Sequence, residues 1–309
     1  MVTACLFNNI KEEDLRIGCF KFNRPLPETD ASYAFVTLWP WVDVNSVGTL
    51  VLKELRDRFG ATEIARLSRP GVFFDFTRYR PTIHIEEDGI REMVIPNTTI
   101  YYAKRHEDKD LVLIRMLEPH MNAELYIDSL LKVFKALNVK KYTLVGSMYD
   151  AVPHTRPLIV SGYGMGENIK DTLKNLGILP IVYRGNSSIV NLVTKNAAES
   201  NIDVNVFIVS IPQYVILDED YIGKIRLMEI LNILYNIPVD RKDFERALEQ
   251  KNIIDERLEK TQEFRMLLPQ LESAYDMRIR SLIHEGEDVI DTEMDEILWK
   301  SIDKDIGKA

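Results

Sequence analysis

The feature that most constrains this chain is a series of short apolar runs whose residues do not alternate with polar ones. Residues 33–39 form the first run, and residues 44–59 then carry apolar side chains at helical spacing. The later runs are 64–67, 99–103, 111–116, 142–145, 178–183 and 204–211, and the amphipathic segments among them are 123–137, 167–176, 188–199 and 222–235. Runs of this kind are buried on both faces, so the pattern predicts an α/β fold with a mostly parallel sheet between helices.

One segment within this alternation has the pattern of two short strands joined by a turn. Residues 82–85 and 90–95 flank the sequence Glu-Glu-Asp-Gly at 86–89. An Asp-Gly pair between two apolar stretches favours a tight turn, because both residues tolerate positive φ. We therefore predict a β-hairpin inserted into the α/β core.

The alternation ends near residue 238. Asp240 can cap a following helix, and apolar residues keep helical spacing from there, with Pro269 starting a new helix or kinking one. This change divides the chain into an α/β core domain, residues 1–238, and a helical extension, residues 239–309.

Charge is distributed unevenly between these two parts. The net charge is −9, and residues 240–309 contribute 19 acidic against 12 basic side chains, with an acidic run at 285–296. Binding to nucleic acid or to an anionic membrane needs clustered Lys and Arg, so we expect neither partner. An acidic arm on a nearly neutral body suits contact with protein partners or keeps an oligomer soluble.

Cysteine content and apolar run length indicate the compartment. Cys5 and Cys19 are the only cysteines, which excludes a disulfide framework and a zinc module and favours a reducing environment. The first residues lack the pattern of a secretory signal, and no stretch approaches the ~18 apolar residues of a membrane span. We expect a soluble cytoplasmic protein.

Polar residues collect in the loops that follow the predicted strands. Ligands of open parallel sheets bind outside the carboxyl ends of the strands, so we expect these five loops to share one edge. The candidate binding or interface residues in these loops are Trp41, Asp43, Glu118, His120, Asp150, His154, Thr155, Arg156 and Tyr214, and the fifth loop is 184–188.

The segment 152–157 is the most informative of these loops. Its two prolines hold His154, Thr155 and Arg156 on a stiff arm. In one interpretation His154 is a general base, Arg156 binds an anion, and Asp150 or Glu118 orients the imidazole. In the other, the arm contacts a neighbouring subunit and Arg156 forms a structural ion pair.

Two further candidates have the same pair of interpretations. His120 beside Glu118 is either a ligand-binding or catalytic residue or a structural one. Arg80, in the charged run that begins at Asp75, belongs either to an interface or the edge of a site, or to a salt-bridged loop.

Sequence motifs for catalysis or cofactor binding are missing. The chain has no Gly-x-Ser-x-Gly elbow and no Walker sequence, and Gly162-Tyr-Gly-Met-Gly166 lacks the spacing of a dinucleotide fingerprint and reads as a flexible turn. We assign no catalytic residue, no metal ligand and no cofactor.

The order of several short motifs gives the chain a family resemblance. Residues 150–157, Asp-Ala-Val-Pro-His-Thr-Arg-Pro, resemble a segment of the proteasome assembly chaperone family, specifically the bacterial and archaeal relatives of the second chaperone subunit, with one residue inserted or shifted at Ala151. Supporting matches are Arg80-Pro-Thr with Asp88-Gly, Glu118-Pro, Tyr183-x-Gly, Pro212-x-Tyr-Val and Leu271-Glu-x-x-Tyr-Asp, and together they span residues 33–280.

The resemblance implies a three-layer α/β core similar to the phosphorylase/hydrolase-like fold, a helical C-terminal extension, and self-association into a homo-oligomer such as a trimer. Some relatives act as chaperones in assembling proteasome rings, and many bacterial members are loosely grouped with ATP-grasp ligases. Two departures matter. The chain lacks the C-terminal hydrophobic-Tyr-any motif, which argues against that mode of proteasome docking, and residues 40–48 hold glycine only at their end.

Three functions remain in competition. The first is a non-enzymatic, assembly-chaperone-like or protein-interaction protein. The second is a hydrolase or transferase acting on a small anionic or nucleoside-like ligand at the strand ends. The third is an ATP-dependent ligase, for which paired carboxylates and a phosphate-binding lysine are not found at suitable spacing.

Overall fold

The computed structural model describes residues 15–284, except 24, 87–88, 106–107 and 167–168. The acidic run 285–296 and the Asp88 position of the predicted turn lie outside the described residues. The strands are β1 Arg16–Ile17, β2 Phe20–Phe22, β3 Ser32–Trp39, β4 Thr62–Leu67, β5 Thr82–Glu86, β6 Gly89–Val94, β7 Thr99–Ala103, β8 Asp110–Leu117, β9 Val139–Asp150, β10 Val160–Met165, β11 Leu179–Pro180 and β12 Asp203–Pro212. The helices are α1 Val47–Phe59, α2 Ala123–Ala136, α3 Ile169–Asn175, α4 Ile189–Glu199, α5 Tyr221–Tyr235, α6 Arg241–Glu259 and α7 Gln262–His284.

Ten of these strands form one sheet, in the order β1-β2-β4-β7-β8-β3-β9-β12-β10-β11. Strands β8, β3, β9 and β12 run parallel at its centre. The flanks are antiparallel apart from the short β10–β11 pair. The α/β prediction is confirmed, and parallel pairing is concentrated at the centre because short links such as 104–109 can join only antiparallel neighbours.

Helices cover both faces of the sheet and make three layers. Helices α2 and α4 enclose one apolar core, which includes Leu38, Ile114 and Phe134. Helices α1 and α5 enclose the other, which includes Phe35 and Leu113. Neighbouring residues of one strand thus enter opposite cores, which is why the central runs show no polar alternation.

The predicted hairpin is present. Strands β5 and β6 pair antiparallel in a separate two-stranded sheet, with Ile83 opposite Met93. The described side chains of both strands are exposed to solvent.

Two predictions about the later strands need correction. The glycine segment 162–166 is largely strand rather than turn, because it lies in β10 beside β12. A Cβ on Gly162 would lie 2.1 Å from the Val206 carbonyl oxygen, so glycine here permits close backbone approach. Of the run 178–183, only Leu179–Pro180 forms a strand, since Pro180 cannot donate to a ladder.

The last two helices lie against the body. The Asp240 carboxylate accepts the Lys242 backbone N–H and caps α6, as predicted, and Pro269 lies inside α7. The ammonium of Lys224 on α5 is buried and lies 2.5 Å from Asp243 on α6. The division of the chain at residue 238 stays a proposal.

Candidate functional site

The carboxyl ends of four central strands meet at one edge of the sheet. Strands β3, β8, β9 and β12 are mutually parallel, so the loops after them begin at the same edge, as predicted. The fifth loop, 184–188, follows β11, which runs in the opposite direction. It reaches this edge at its end, because both carboxylate oxygens of Glu118 accept the Ile189 N–H, at 2.9 and 3.1 Å.

His154 lies on the β9–β12 side of this edge, under the C-terminal helices. Its backbone N–H donates to the Tyr214 hydroxyl at 2.7 Å, and its Nδ1 lies 2.9 Å from the same oxygen. The ring of Phe264, on α7, packs against both rings. With 8% of its side chain exposed, the imidazole is closed off from solvent.

A carboxylate does face His154, but it is neither of the predicted ones. Asp255 on α6 places Oδ1 3.1 Å from the imidazole Nε2, while Glu118 binds Ile189 and Asp150 binds Ser210 and Arg278. The contact is an ion pair only while the imidazole is protonated, and Oδ1 accepts no hydrogen bond in the structure. Burial lowers the pKa of His154 despite the nearby carboxylate.

The rest of the arm is tied to α7. Arg156 makes two hydrogen bonds to Asp276, both at 3.1 Å, and one to Glu272 at 3.0 Å. The Thr155 hydroxyl donates to Glu272 at 2.5 Å, and the Tyr275 hydroxyl donates to the Pro157 carbonyl at 2.7 Å. These contacts use the groups that would bind an anion or a substrate. We call this covered region, residues 150–157 with Tyr214, the closed half of the edge.

Asp43 links the closed half to the rest of the edge. Its carboxylate accepts the Thr49 backbone N–H at 3.0 Å and the Thr49 hydroxyl at 2.5 Å, which caps the first turn of α1. Burial raises the pKa of Asp43 to about 6, against these hydrogen bonds. A Cβ on Gly48 would lie 2.2 Å from the Thr37 hydroxyl, so this turn leaves no room for a bound group.

Within residues 15–284, where the structure describes the chain, no helix covers the β3–β8 side of the edge. Trp41 is 62% exposed and its indole N–H donates to the Tyr79 hydroxyl at 3.1 Å. The Tyr79 ring centre is 5.0 Å from that of His120, whose Nδ1 accepts the Asp75 N–H. The neutral His120 ring therefore carries its proton on Nε2.

A groove of about 520 Å³ opens beside His120. We call it the aromatic groove, and it is lined by Gly71, Phe74, Asp75, Phe76, Arg78, His120 and Met121. Arg80 follows Tyr79 with an exposed side chain and leads into β5. Together with Trp41, these residues make the open half of the edge, where exposed side chains are mainly aromatic, apolar or basic.

Sequence reasoning missed the covering residues. Asp255 and Phe264 belong to no motif, and Glu272 and Asp276 occur in a matched motif whose partners lie more than a hundred residues away. Lys224 left a usable signal, because it interrupts the apolar face of a helix. Its Nζ binds Asp243 and lies 3.4 Å from Glu54, within a charged cleft of about 240 Å³.

Neither a metal site nor a membrane span is visible in the described ranges. No group of three or more His, Cys, Asp or Glu side chains there is placed to hold an ion. None of the helices described is both long and apolar enough to cross a bilayer.

The fold and the edge define a class, namely three-layer α/β proteins whose strand ends are partly covered by C-terminal helices. The sequence profile of the PAC2 family matches residues 37–261, and the chain belongs to that family. This confirms the resemblance to proteasome assembly chaperones that the motifs indicated. A search of curated proteins found no match.

Solved structures share the fold. A proteasome-assembly chaperone homologue from Mycobacterium tuberculosis superposes with a TM-score of 0.69 at 22% identity, covering 77% of this chain and 99% of its own. A PAC2 family protein from Streptomyces avermitilis gives 0.65 at 22% identity, covering 74% and 95%. An archaeal proteasome activator from Pyrococcus furiosus gives 0.58 at 14% identity, covering 77% and 97%.

Proposed function

We propose that this chain is a non-enzymatic, assembly-chaperone-like protein of the cytoplasm that self-associates and binds protein clients through the open half of its strand-end edge. The observation that carries this proposal is the contrast in side-chain use at the edge. In the closed half, polar side-chain groups contact α6 and α7, and they belong to His154, Thr155 and Arg156. In the open half, Trp41 and Met121 expose apolar surface to solvent.

Three other properties support the proposal. The structural relatives include a chaperone homologue and a proteasome activator. The net charge of −9 disfavours nucleic acid as the partner. Cys19 is a free thiol, as is usual in a reducing compartment. The client chemistry that fits the open half is an apolar or aromatic protein surface with acidic neighbours, because Trp41 and Arg80 are exposed there.

Ligand stabilisation separates this function from an enzyme acting on small anions. We expect nucleotides, nucleosides, phosphate and divalent metals to leave the melting temperature of the full chain unchanged. Stabilisation by one of these classes that disappears in His154→Gln, with His120→Gln as the matched control, would instead support an enzyme using the arm.

Client capture tests the open half. The immobilised full chain should retain a defined set of proteins from its own cell extract, and Trp41→Ser should retain fewer of them. Ile233→Ser is the matched control, since Ile233 is 66% exposed and lies three turns beyond the start of α5. Equal capture by the wild-type and Trp41→Ser proteins would contradict the assignment of the open half to clients.

A further inference from the structure

The hairpin β5–β6 has no cover in the part of the chain that the structure describes. Its strands form a two-stranded sheet of their own, and their described side chains are all exposed. An isolated two-stranded hairpin is marginally stable in water, and both of its outer edges offer unpaired backbone groups. A hairpin of this kind gains stability when another surface covers it.

One face of the hairpin is apolar. Ile83 and Ile85 are two residues apart on β5 and share a face, since the extra residue of the register shift beside them, 91, lies on β6. Met93 lies opposite Ile83 on β6. Their exposed fractions are 43%, 67% and 53%, respectively. Three neighbouring large apolar side chains in solvent are the pattern of a contact surface.

The aromatic groove is the complementary surface on the same molecule. Phe76 and Met121 line it with 36% and 47% of their surface exposed, and Leu125, 45% exposed, follows on α2. Its volume of about 520 Å³ falls in the range of ~300–1,000 Å³ typical of pockets that bury a ligand. It can receive the large side chains that the hairpin presents.

Charge complements the apolar match. Residues 82–95, the hairpin, contain four acidic side chains and one arginine. Residues 69–80, which form most of the groove, contain three arginines and one aspartate. Opposite charge on two surfaces steers their encounter and disfavours contact of either surface with its own kind.

We propose that the hairpin of one copy lies in the aromatic groove of a second copy, in a head-to-tail contact. This inference deepens the proposed function, since it rests on self-association and assigns that association to two different patches, the hairpin and the aromatic groove. Clients then meet the remainder of the open half, around Trp41. The hairpin and the groove follow one another in the chain, so every copy offers one of each. Such a contact repeats from copy to copy and closes into a ring when the rotation allows.

Molar mass in solution tests the proposal. The wild-type full chain should form an oligomer. A hairpin variant, Ile83→Ser with Ile85→Ser, and a groove variant, Arg78→Glu with Met121→Ser, should each associate at least about tenfold more weakly. All four residues are exposed, so both variants should keep the wild-type melting temperature. Ile233→Ser, at an isoleucine 66% exposed on α5, is the matched control and should keep the wild-type mass.

Mixing the two variants identifies the geometry. The hairpin variant retains a groove and the groove variant retains a hairpin, so a head-to-tail contact predicts a one-to-one heterodimer on mixing. If hairpins instead paired with hairpins, the groove variant would self-associate alone and mixing would add nothing, which overturns the proposal.

A charge-reversal pair gives a second check. Arg78→Glu or Glu92→Arg alone should weaken association, and the two together should restore it, because Glu92 lies on the exposed hairpin. A wild-type chain that stays monomeric at high concentration overturns the proposal. Loss of client capture by the hairpin variant of such a monomer would assign the hairpin to a client and leave standing only the client-binding part of the proposed function.

Discussion

The two halves of the strand-end edge carry similar residue types in opposite surroundings. In the closed half, a histidine and an arginine face carboxylates of α6 and α7 and lie beneath those helices. In the open half, the His120 ring accepts a backbone N–H and packs beside a tyrosine ring, and Trp41 is mostly exposed to solvent. The type of residue at a strand end therefore does not define function, because the helices that cover the strand ends decide whether its side chains can contact a ligand.

The largest expected loss of stability comes from breaking the buried Lys224–Asp243 ion pair, which holds α6 against α5. Asp243→Ala leaves the Lys224 ammonium buried without its main partner, and we expect this variant to lose about 3–5 kcal/mol of unfolding free energy. Urea denaturation measures the loss. Glu229→Ala removes a partly exposed ion pair with Arg226 and should cost less than about 1 kcal/mol. Similar losses for the two variants would mean that α6 is not anchored through Lys224.

The next effect concerns Asp43, at the boundary of the two halves. The pKa of Asp43 is 3.8 in the unfolded chain and about 6 in the folded one, so folding favours the protonated carboxyl. About 3 kcal/mol of folding stability is therefore lost as the pH rises from the lower of these values to the higher. Asp43→Asn keeps an acceptor for the Thr49 N–H and cannot ionise. The stability difference between the variant and the wild type should therefore move in the variant's favour between about pH 4 and about pH 6.

Urea titrations of both proteins at matched pH values measure that difference. A difference that stays constant across the window would mean that Asp43 titrates at its ordinary pKa and is solvated.

A smaller, local effect should appear at His154. Burial lowers the pKa of His154, so folding favours the neutral ring. The neutral ring therefore contributes fully to stability above the ordinary pKa of 6.5, and this contribution is lost as the pH falls through the lowered pKa. Asp255, Lys251 and Glu272 are the charged groups that act on the ring. We expect amide exchange in α6 and α7, corrected for its intrinsic pH dependence, to rise on acidification in the wild type and less in His154→Gln. An equal rise in amide exchange in both proteins would show that protonation of His154 does not loosen α6 and α7.

The smallest effect should come from the open half. Trp41→Ser removes an exposed side chain and one hydrogen bond to Tyr79, so we expect unfolding free energy to fall by less than about 1 kcal/mol. Thermal denaturation measures it, beside His154→Ala, which should cost more. A reversed order would erase the distinction between the halves.

The sequence predicted the central strands and helices better than it predicted how the C-terminal helices cover the strand ends. The run at 33–39 became β3, and the two apolar stretches beside the predicted turn paired as a hairpin, because these signals act locally. The mixed flanks of the sheet were not predicted, since pairing direction depends on distant chain connections.

The partners of the arm were equally inaccessible to sequence. Arg156 meets Glu272 and Asp276 only because α7 folds back over the strand ends, and no local pattern encodes that return. The carboxylate beside His154 was assigned to Asp150 or Glu118 for their proximity in sequence, whereas Asp255 reaches the ring through tertiary packing. Coverage is a property of the fold, and sequence motifs alone do not report it.

Hydrogen–deuterium exchange of the full chain at two protein concentrations, about a hundredfold apart and spanning the micromolar range, tests the central claim most directly. At the higher concentration we predict added protection in the hairpin, 82–95, and in the groove segments, 71–79 and 120–121, with no change in the arm, 152–157. Concentration-dependent protection of the arm with an unchanged hairpin and groove would show that the closed half is the contact surface and would contradict the account.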